Sequence, residues 1–302
     1  MENANDLAHI VLTGVPFLWL MTVNRRRLVP MRILAGASLI GALLVIARTG
    51  SRAALVGAAA MLAVIFTTVS LANKLKLLAA GTALSLAILA AMPEAVMSRY
   101  RTLLDWGKEG DRAISSEAAA VAVGTIRARS KLLQHSVILT LQNPVFGVGP
   151  GNFQTASVRL SRAAGEPGMW RESHNAFTQV SSETGIPGAL LFTAALAYCL
   201  WGVHRVHKRS RRRPEAKSVA QMANGMLLSL VGFLTTALFS SIAYELYLTT
   251  VLGLGVAFTL AAERELRAIE AAGAPSGEET APAEPEPPRP AIPRPRRRPM
   301  PV

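Results

Sequence analysis

The sequence predicts an all-α, polytopic membrane protein: a bundle of about seven transmembrane helices with one large helical loop. Hydrophobic residues make up 51% of the 302 residues and charged residues only 17%, which is below the quarter that is usual in soluble domains. The apolar residues form runs of roughly 17 to 22, long enough to cross a bilayer. Basic residues lie in short blocks between these runs, so the net charge of +13 indicates membrane orientation rather than a nucleic-acid partner.

The links between the apolar runs predict the orientation of the bundle. Basic blocks occur at residues 24–27, 73–76 and 204–217. If the segments alternate in direction, these three links share one side, which the positive-inside rule identifies as cytoplasmic. The opposite, outer face then holds the N-terminus, the turn 48–52 and the long loop 93–186. The predicted spans have the approximate limits 7–23, 32–47, 53–72, 76–92, 186–203, 219–240 and 242–262.

Four regions follow from this scheme. Residues 1–92 hold four spanning helices and the outer Arg-Thr-Gly-Ser-Arg turn, residues 93–186 form the outer loop with the chemical motifs, and residues 187–262 hold three more spanning helices. Residues 263–302 are predicted to form a cytoplasmic tail. The tail is predicted to be disordered because its Pro- and Arg-rich sequence offers almost no apolar side chains to bury.

Within the outer loop, residues 115–142 are predicted to be helical, since Ser115 or Ser116 can cap the start and Asn143-Pro144 ends the segment. Arg127 and Arg129 lie in its middle, where a charge most often belongs to a solvated face. The glycine-rich stretch that follows, 147–153, lacks the lysine and the preceding strand of a phosphate-binding loop. A tight turn is the better interpretation.

The segment ESHNAFTQVSSETGIPG contains one histidine, His174, shortly before the chain re-enters an apolar run. Ser173 or Asn175 can start a short helix, Gly185 suits its C-terminal end, and Pro187 suits the first turn of the next helix. His174 then lies at the positive end of the helix dipole, which disfavours the imidazolium form. A neutral imidazole can accept a proton from a hydroxyl. The alternative is a histidine that only fills a turn.

The turn 48–52 places two arginines at the outer interface. Arg48 and Arg52 are four residues apart, so a helical continuation would put them on one face. Arginine near a bilayer is unfavourable and is often functional. The alternative is snorkelling of both side chains toward the interface.

Several catalytic classes are not supported by the sequence. It contains neither the zinc-protease pattern His-Glu-x-x-His nor the Gly-x-Ser-x-Gly nucleophile elbow. Glu166, Glu172 and Glu183 have no evident partners, so no acidic pair indicates a glycosidase or a metal site. The sequence therefore predicts no metal and no cofactor.

Four stretches, in order, resemble the O-antigen ligase and polysaccharide polymerase superfamily of bacterial inner-membrane glycosyltransferases. The resemblance covers roughly residues 3–262. Its motifs are Asn5-Asp6-Leu7-Ala8; Thr49-Gly50-Ser51-Arg52; Arg129 followed fifteen residues later by Pro144 and then Gly147-Val148-Gly149-Pro150-Gly151-Asn152-Phe153; and His174-Asn175, nine residues, then Gly185-Ile186-Pro187-Gly188. The last is the strongest.

The resemblance implies a bundle similar to GT-C glycosyltransferases, in the bacterial inner membrane. It implies transfer of a glycan from undecaprenyl pyrophosphate to an acceptor hydroxyl at the periplasmic face, with lipid A-core, a polysaccharide end or a protein as acceptor. Membrane lipids surround the chain, and no nucleic acid or cofactor takes part. His174 would be the base, Arg52 and Arg129 would bind the pyrophosphate, and Arg127 and Arg48 would be further candidates for that clamp. Asn175, Gly185, Gly188, Gly147 and Gly149 would be structural motif positions.

The sequence also departs from the family pattern. Members usually carry further N-terminal helices with basic residues that help to hold the donor, so this chain is expected to be a fragment, a mispredicted start or half of a split protein. The alternatives are an inactive truncated paralogue and a non-catalytic transporter or lipid-binding protein. A transporter would carry ionisable groups deep in its spans, and the sequence offers only Glu245 and the polar pair Asn224-Gly225.

Overall fold

The structure, a computed structural model, describes residues 4–68, scattered residues between 71 and 82, and residues 117–273. All regular elements in these residues are helical. They are α1 (Ala4–Val23), α2 (Val29–Thr49), α3 (Arg52–Thr68), α4 (Glu117–Gln142), α5 (Phe153–Ala163), α6 (Ala176–Ser210), a 3-10 turn (Pro214–Ala216), α7 (Lys217–Ala237) and α8 (Leu246–Gly273).

Five of the described helices are long and apolar enough to cross a membrane: α1, α2, α6, α7 and α8. The helix α3 is shorter, at 17 residues. The predicted fourth span, 76–92, lies almost entirely outside the described residues. The prediction of a helical, multi-pass membrane protein is therefore confirmed, whereas the number of seven spans and the sidedness of the outer loop stay predictions.

Two predicted boundaries are wrong at the C-terminal end. The spans predicted at 219–240 and 242–262 are separated by a linker of residues 238–245, because α7 ends at Ala237 and α8 begins at Leu246. The tail predicted from residue 263 begins too early, since α8 continues to Gly273. This extension is rich in good helix formers.

Ion pairs with α6 and with Arg213, just after it, also stabilise the extension. Glu263 pairs with Arg205, and Glu270 pairs with Arg209 at 3.0 Å and with Arg213 at 2.9 Å.

The helix α7 is the centre of the bundle and packs against α1, α3, α6 and α8. Small residues allow this close approach, as in other membrane helices: a Cβ atom on Gly232 would lie 2.8 Å from the sulfur of Met61 in α3. Two polar contacts join α1 to α7. The Ser229 hydroxyl donates to the Thr13 carbonyl at 2.8 Å, and His9 Nε2 lies 3.1 Å from the Phe233 carbonyl.

Contacts between the helices show which segments lie at the same end of the bundle. Phe17 and Leu20, late in α1, contact Gly225, early in α7, so the basic links 24–27 and 204–217 lie at the same end. The opposite end holds the turn between α2 and α3, the start of α6 and the linker 238–245. We call this opposite end the site end.

A break at Gly185 interrupts α6 at the site end. Gly185 has φ 77° and ψ −175°, a region that is essentially restricted to glycine. The loop after α4 packs into the break, where the Ile186 N–H donates to the Pro144 carbonyl at 2.7 Å. A Cβ atom on Gly185 would lie 2.5 Å from the Val145 carbonyl, and one on Gly147 would overlap the backbone of Glu183. Both glycines are therefore needed for the close approach of the two backbones.

We expect Gly185→Ala to destabilise the protein by more than about 2 kcal/mol, because it adds backbone strain and a steric overlap. Gly151→Ala is the matched control: Gly151 also has a positive φ, of 74°, but its Cβ would meet open space. Thermal unfolding of both variants in detergent checks the prediction. Equal losses of stability in the two variants would show that the close approach at Gly185 does not matter.

Candidate functional site

The Glu183 carboxylate fastens the loop after α4 to α6. Its side chain is 2% exposed; Oε2 accepts the Gly151 N–H at 3.0 Å, and Oε1 accepts the Phe153 N–H at 3.1 Å. Two backbone bonds lie beside it, from the Val148 N–H to the Ser182 carbonyl at 2.9 Å and from the Gly149 N–H to the Glu183 carbonyl at 3.0 Å. We call this set of contacts the Glu183 junction.

The expectation that the three loop glutamates lack partners is thus wrong. Glu183 is satisfied by backbone N–H groups, and Glu166 forms an ion pair with Lys131 that lowers the pKa of the Glu166 carboxyl. The pKa of Glu172 is raised, mainly by burial, while a hydrogen bond with Ser241 opposes this shift. Lys131, Ser241 and two backbone N–H groups are therefore partners of these glutamates.

His174 lies directly before the N-terminus of α6. The Asn175 side chain caps this helix by accepting the Phe177 N–H at 2.9 Å and the Thr178 N–H at 3.1 Å, so Asn175 rather than Ser173 is the cap. His174 has φ 54° and is, among the described residues, the one non-glycine with a positive φ. Its N–H donates to the Ser241 hydroxyl at 2.7 Å.

The positive charges of two arginines act on the His174 imidazole. Burial, followed by the positive charges of Arg129 and Arg171, lowers the pKa of His174 below its ordinary value of 6.5. The pKa of Arg129 is lowered in turn by burial and by the charge of Arg52. The charge of Arg52 in α3 thus acts on Arg129 in α4, and the charge of Arg129 acts on His174.

No carboxylate of the described residues pairs with this group of arginines. Within the described part of the chain, Arg52, Arg129 and Arg171 form no ion pair with aspartate or glutamate. Arg52 and Arg129 are partly buried, whereas Arg171 is exposed. Like charges repel one another, and a bound anion relieves that repulsion. We call these three arginines and His174 the cationic site.

The other predicted residues lie around the cationic site without joining it. Arg48 lies in the last turn of α2 and Arg127 lies on α4. Both are exposed, and the described residues give neither side chain a hydrogen bond or an ion pair. Gly149 has a positive φ, of 92°, within the Glu183 junction. A Cβ atom on Gly188 would overlap the side chain of Thr184, one turn earlier.

The sequence reasoning missed three residues: Arg171, which belongs to the cationic site, Ser241, which contacts His174, and Tyr244, which interacts with Glu183. Arg171 precedes His174 by three residues, so its proximity was a usable signal. Ser241 and Tyr244 are about seventy residues downstream in the linker 238–245, where no local pattern links them to His174. Burial and the neighbouring Glu183 charge raise the pKa of Tyr244. Glu245, which the sequence suggested as an ionisable group in a span, also lies in this linker.

The apolar helices define a multi-pass integral membrane protein, and the cationic site lies at one end of its bundle. The described residues contain no group of three or more His, Cys, Asp or Glu side chains that could hold a metal ion.

The family model described as O-antigen ligase matches residues 37–193, which is more than half of the chain, so the protein belongs to the O-antigen ligase family. The resemblance found in the sequence is thereby confirmed. The protein is a membrane glycosyltransferase of the O-antigen ligase or polymerase type, which implies a lipid-linked glycan donor and a polysaccharide or lipid acceptor. The comparison with curated proteins found no matching sequence.

We expect Glu183→Gln to lower the free energy of unfolding by about 1–3 kcal/mol, because an amide cannot accept both backbone N–H groups and leaves one buried donor unsatisfied. Glu166→Gln is the control, since it removes only a surface ion pair with Lys131, which is worth up to about 1 kcal/mol. The unfolding midpoints of the two variants in detergent check this. A Glu183→Gln midpoint no lower than that of the control would refute the role of the junction.

Proposed function

We propose that the protein transfers a glycan from undecaprenyl pyrophosphate to an acceptor hydroxyl at the periplasmic face of the bacterial inner membrane. In this proposal Arg52 and Arg129 bind the pyrophosphate, and His174 is the general base. The observation that carries it is the cationic site: an imidazole beside half-buried guanidinium groups that no described carboxylate neutralises.

A pyrophosphate fits this site on charge and geometry. Guanidinium groups bind phosphate oxygens through two parallel hydrogen bonds and stay charged at any relevant pH. Negative charge grows on the leaving pyrophosphate as the glycosidic bond breaks, and arginines already in place stabilise that charge. The exposed Arg48 and Arg127 are secondary contacts in this proposal, available to the outer oxygens of the donor.

The lowered pKa of His174 suits the role of a base. Burial, Arg129 and Arg171 all favour the neutral imidazole, which is the form that accepts a proton. The acceptor oxygen attacks the anomeric carbon, the bond from that carbon to the phosphate oxygen breaks, and the hydroxyl proton passes to His174. Attack from the face opposite the leaving group inverts the anomeric configuration.

The distribution of basic residues supports the sidedness of the proposal. The basic links 24–27 and 204–217 lie at the end of the bundle opposite the cationic site, and the positive-inside rule makes their end cytoplasmic. The site then faces the periplasm, and the apolar helices offer a surface for the prenyl tail of the donor. Lipid A-core, a polysaccharide end and a protein hydroxyl all present the same reacting group, and all three are acceptors within this proposal.

We expect His174→Ala to reduce turnover by about 10²- to 10⁴-fold, the usual contribution of a positioned base. The assay supplies undecaprenyl pyrophosphate-linked glycan to the full chain in lipid nanodiscs together with an extract of bacterial envelope. It measures released undecaprenyl pyrophosphate, the product common to every acceptor. Unchanged turnover in His174→Ala would refute the base assignment.

In the same assay, Arg129→Ala should raise the KM for the donor. Arg162→Ala, which changes an exposed residue of α5, should not.

The rate should also fall on the acid side as the pH drops through the pKa of His174, which lies below 6.5. The neighbours that set this pKa are Arg129 and Arg171, with the Glu172 carboxylate next to them along the chain. Arg171→Gln removes a positive charge, so it should raise the pKa and move the acid limb of the rate profile to higher pH. Arg162→Gln should leave the profile in place. An acid limb that Arg171→Gln does not move would contradict the assignment.

A further inference from the structure

The linker 238–245 reaches the residue proposed as the base. The Ser241 hydroxyl accepts the backbone N–H of His174 at 2.7 Å and lies 3.4 Å from the Ser173 hydroxyl. The two bonded residues are 67 positions apart. Ser241 also lies well outside residues 37–193, the part of the chain that matches the family. This contact therefore adds something that the family match does not contain.

The position of the Ser241 hydroxyl is fixed by the packing of its neighbours. Ile242 and Ala243 are buried in one apolar cluster with Ala176 and Val180, near the start of α6. The Ala243 N–H also points to Oε1 of Gln179, at 3.4 Å. The linker is thus packed against the first turns of α6, the helix that His174 precedes.

His174 needs such a restraint because its backbone is strained. A φ of 54° places it in the left-handed region, which is unfavourable for a side chain other than glycine. The Asn175 cap fixes the residue on the C-terminal side of His174. The Ser241 hydroxyl is the contact that fixes the N–H of His174 itself, and this dihedral sets the direction in which the imidazole leaves the backbone.

We propose that Ser241 is a positioning residue for His174: its hydroxyl holds the strained backbone so that the imidazole faces the arginines of the cationic site. The proposal rests on the proposed function, since it assumes that His174 is the base. It assigns a role in the reaction to the linker between the last two spanning helices, and it makes the geometry of the base depend on how α7 and α8 pack against α6.

The first test separates positioning from binding. Ser241→Ala should lower kcat by roughly 10-fold, because one hydrogen bond and the alignment it provides are lost, and it should leave the KM for the donor unchanged. Ser241→Thr keeps the hydroxyl and should restore most of the rate. Ser240→Ala is the matched control, since no described hydrogen bond joins its hydroxyl to His174. A normal kcat in Ser241→Ala, or a Thr variant as slow as the Ala variant, would overturn the proposal.

A double-mutant cycle tests whether Ser241 acts through the imidazole. In the His174→Ala background, whose residual rate is followed with radiolabelled donor over long incubations, Ser241→Ala should cause no further loss. A full 10-fold loss in that background would overturn the positioning role while the proposed function stands. An active His174→Ala protein would instead overturn the proposed function. If Ser241→Ala does not fold, Ser241→Cys, which has nearly the same shape and a weaker acceptor, takes its place in both tests.

Discussion

The Glu183 junction is the interaction on which the geometry of the site depends. One buried carboxylate accepts two backbone N–H groups of the loop after α4, and it can do so only because Gly147 and Gly185 let the two backbones approach. A buried charge is stable when several hydrogen bonds satisfy it. The junction joins α4, with Arg129, to the first turns of α6, with Asn175 and His174 before them. Together with the bonds from Thr140 to Ser181 and from Ile186 to Pro144, it fixes the arginine relative to the imidazole.

Charge is separated around His174 in a way that favours an anionic ligand. The arginines influence one another and the imidazole, whereas the pKa of Glu172 is raised by burial and then by the carboxylates of Asp6, Glu245 and Glu183. The carboxylates thus interact with one another rather than neutralising the arginines. An anion is attracted to the arginines and repelled from the acidic group, so the charges can orient a donor as well as bind it.

Local features of this site could be predicted from the sequence, and long-range ones could not. The cap at Asn175 and the break at Gly185 follow from residue types that act on their own backbone. The partners of Glu183 are 30 and 32 positions away and Ser241 is 67 away from His174, so no spacing rule connects them. The end of α8 could not be predicted for the same reason. Its last turns resemble the start of a tail in the sequence, and their ion pairs with Arg205, Arg209 and Arg213 are visible only in the structure.

The family match and the structure together define what a functional unit must contain. Residues 37–193 include the arginines, the junction and His174, yet the N–H of His174 is held by Ser241, and the first turns of α6 pack against Ile242 and Ala243. The helix α7, which precedes this linker, packs in turn against α1 and α3. The geometry of a site at one end of the helices is therefore a property of the whole bundle. A chain cut after the matched residues would keep the motifs but lose the contacts that orient the imidazole.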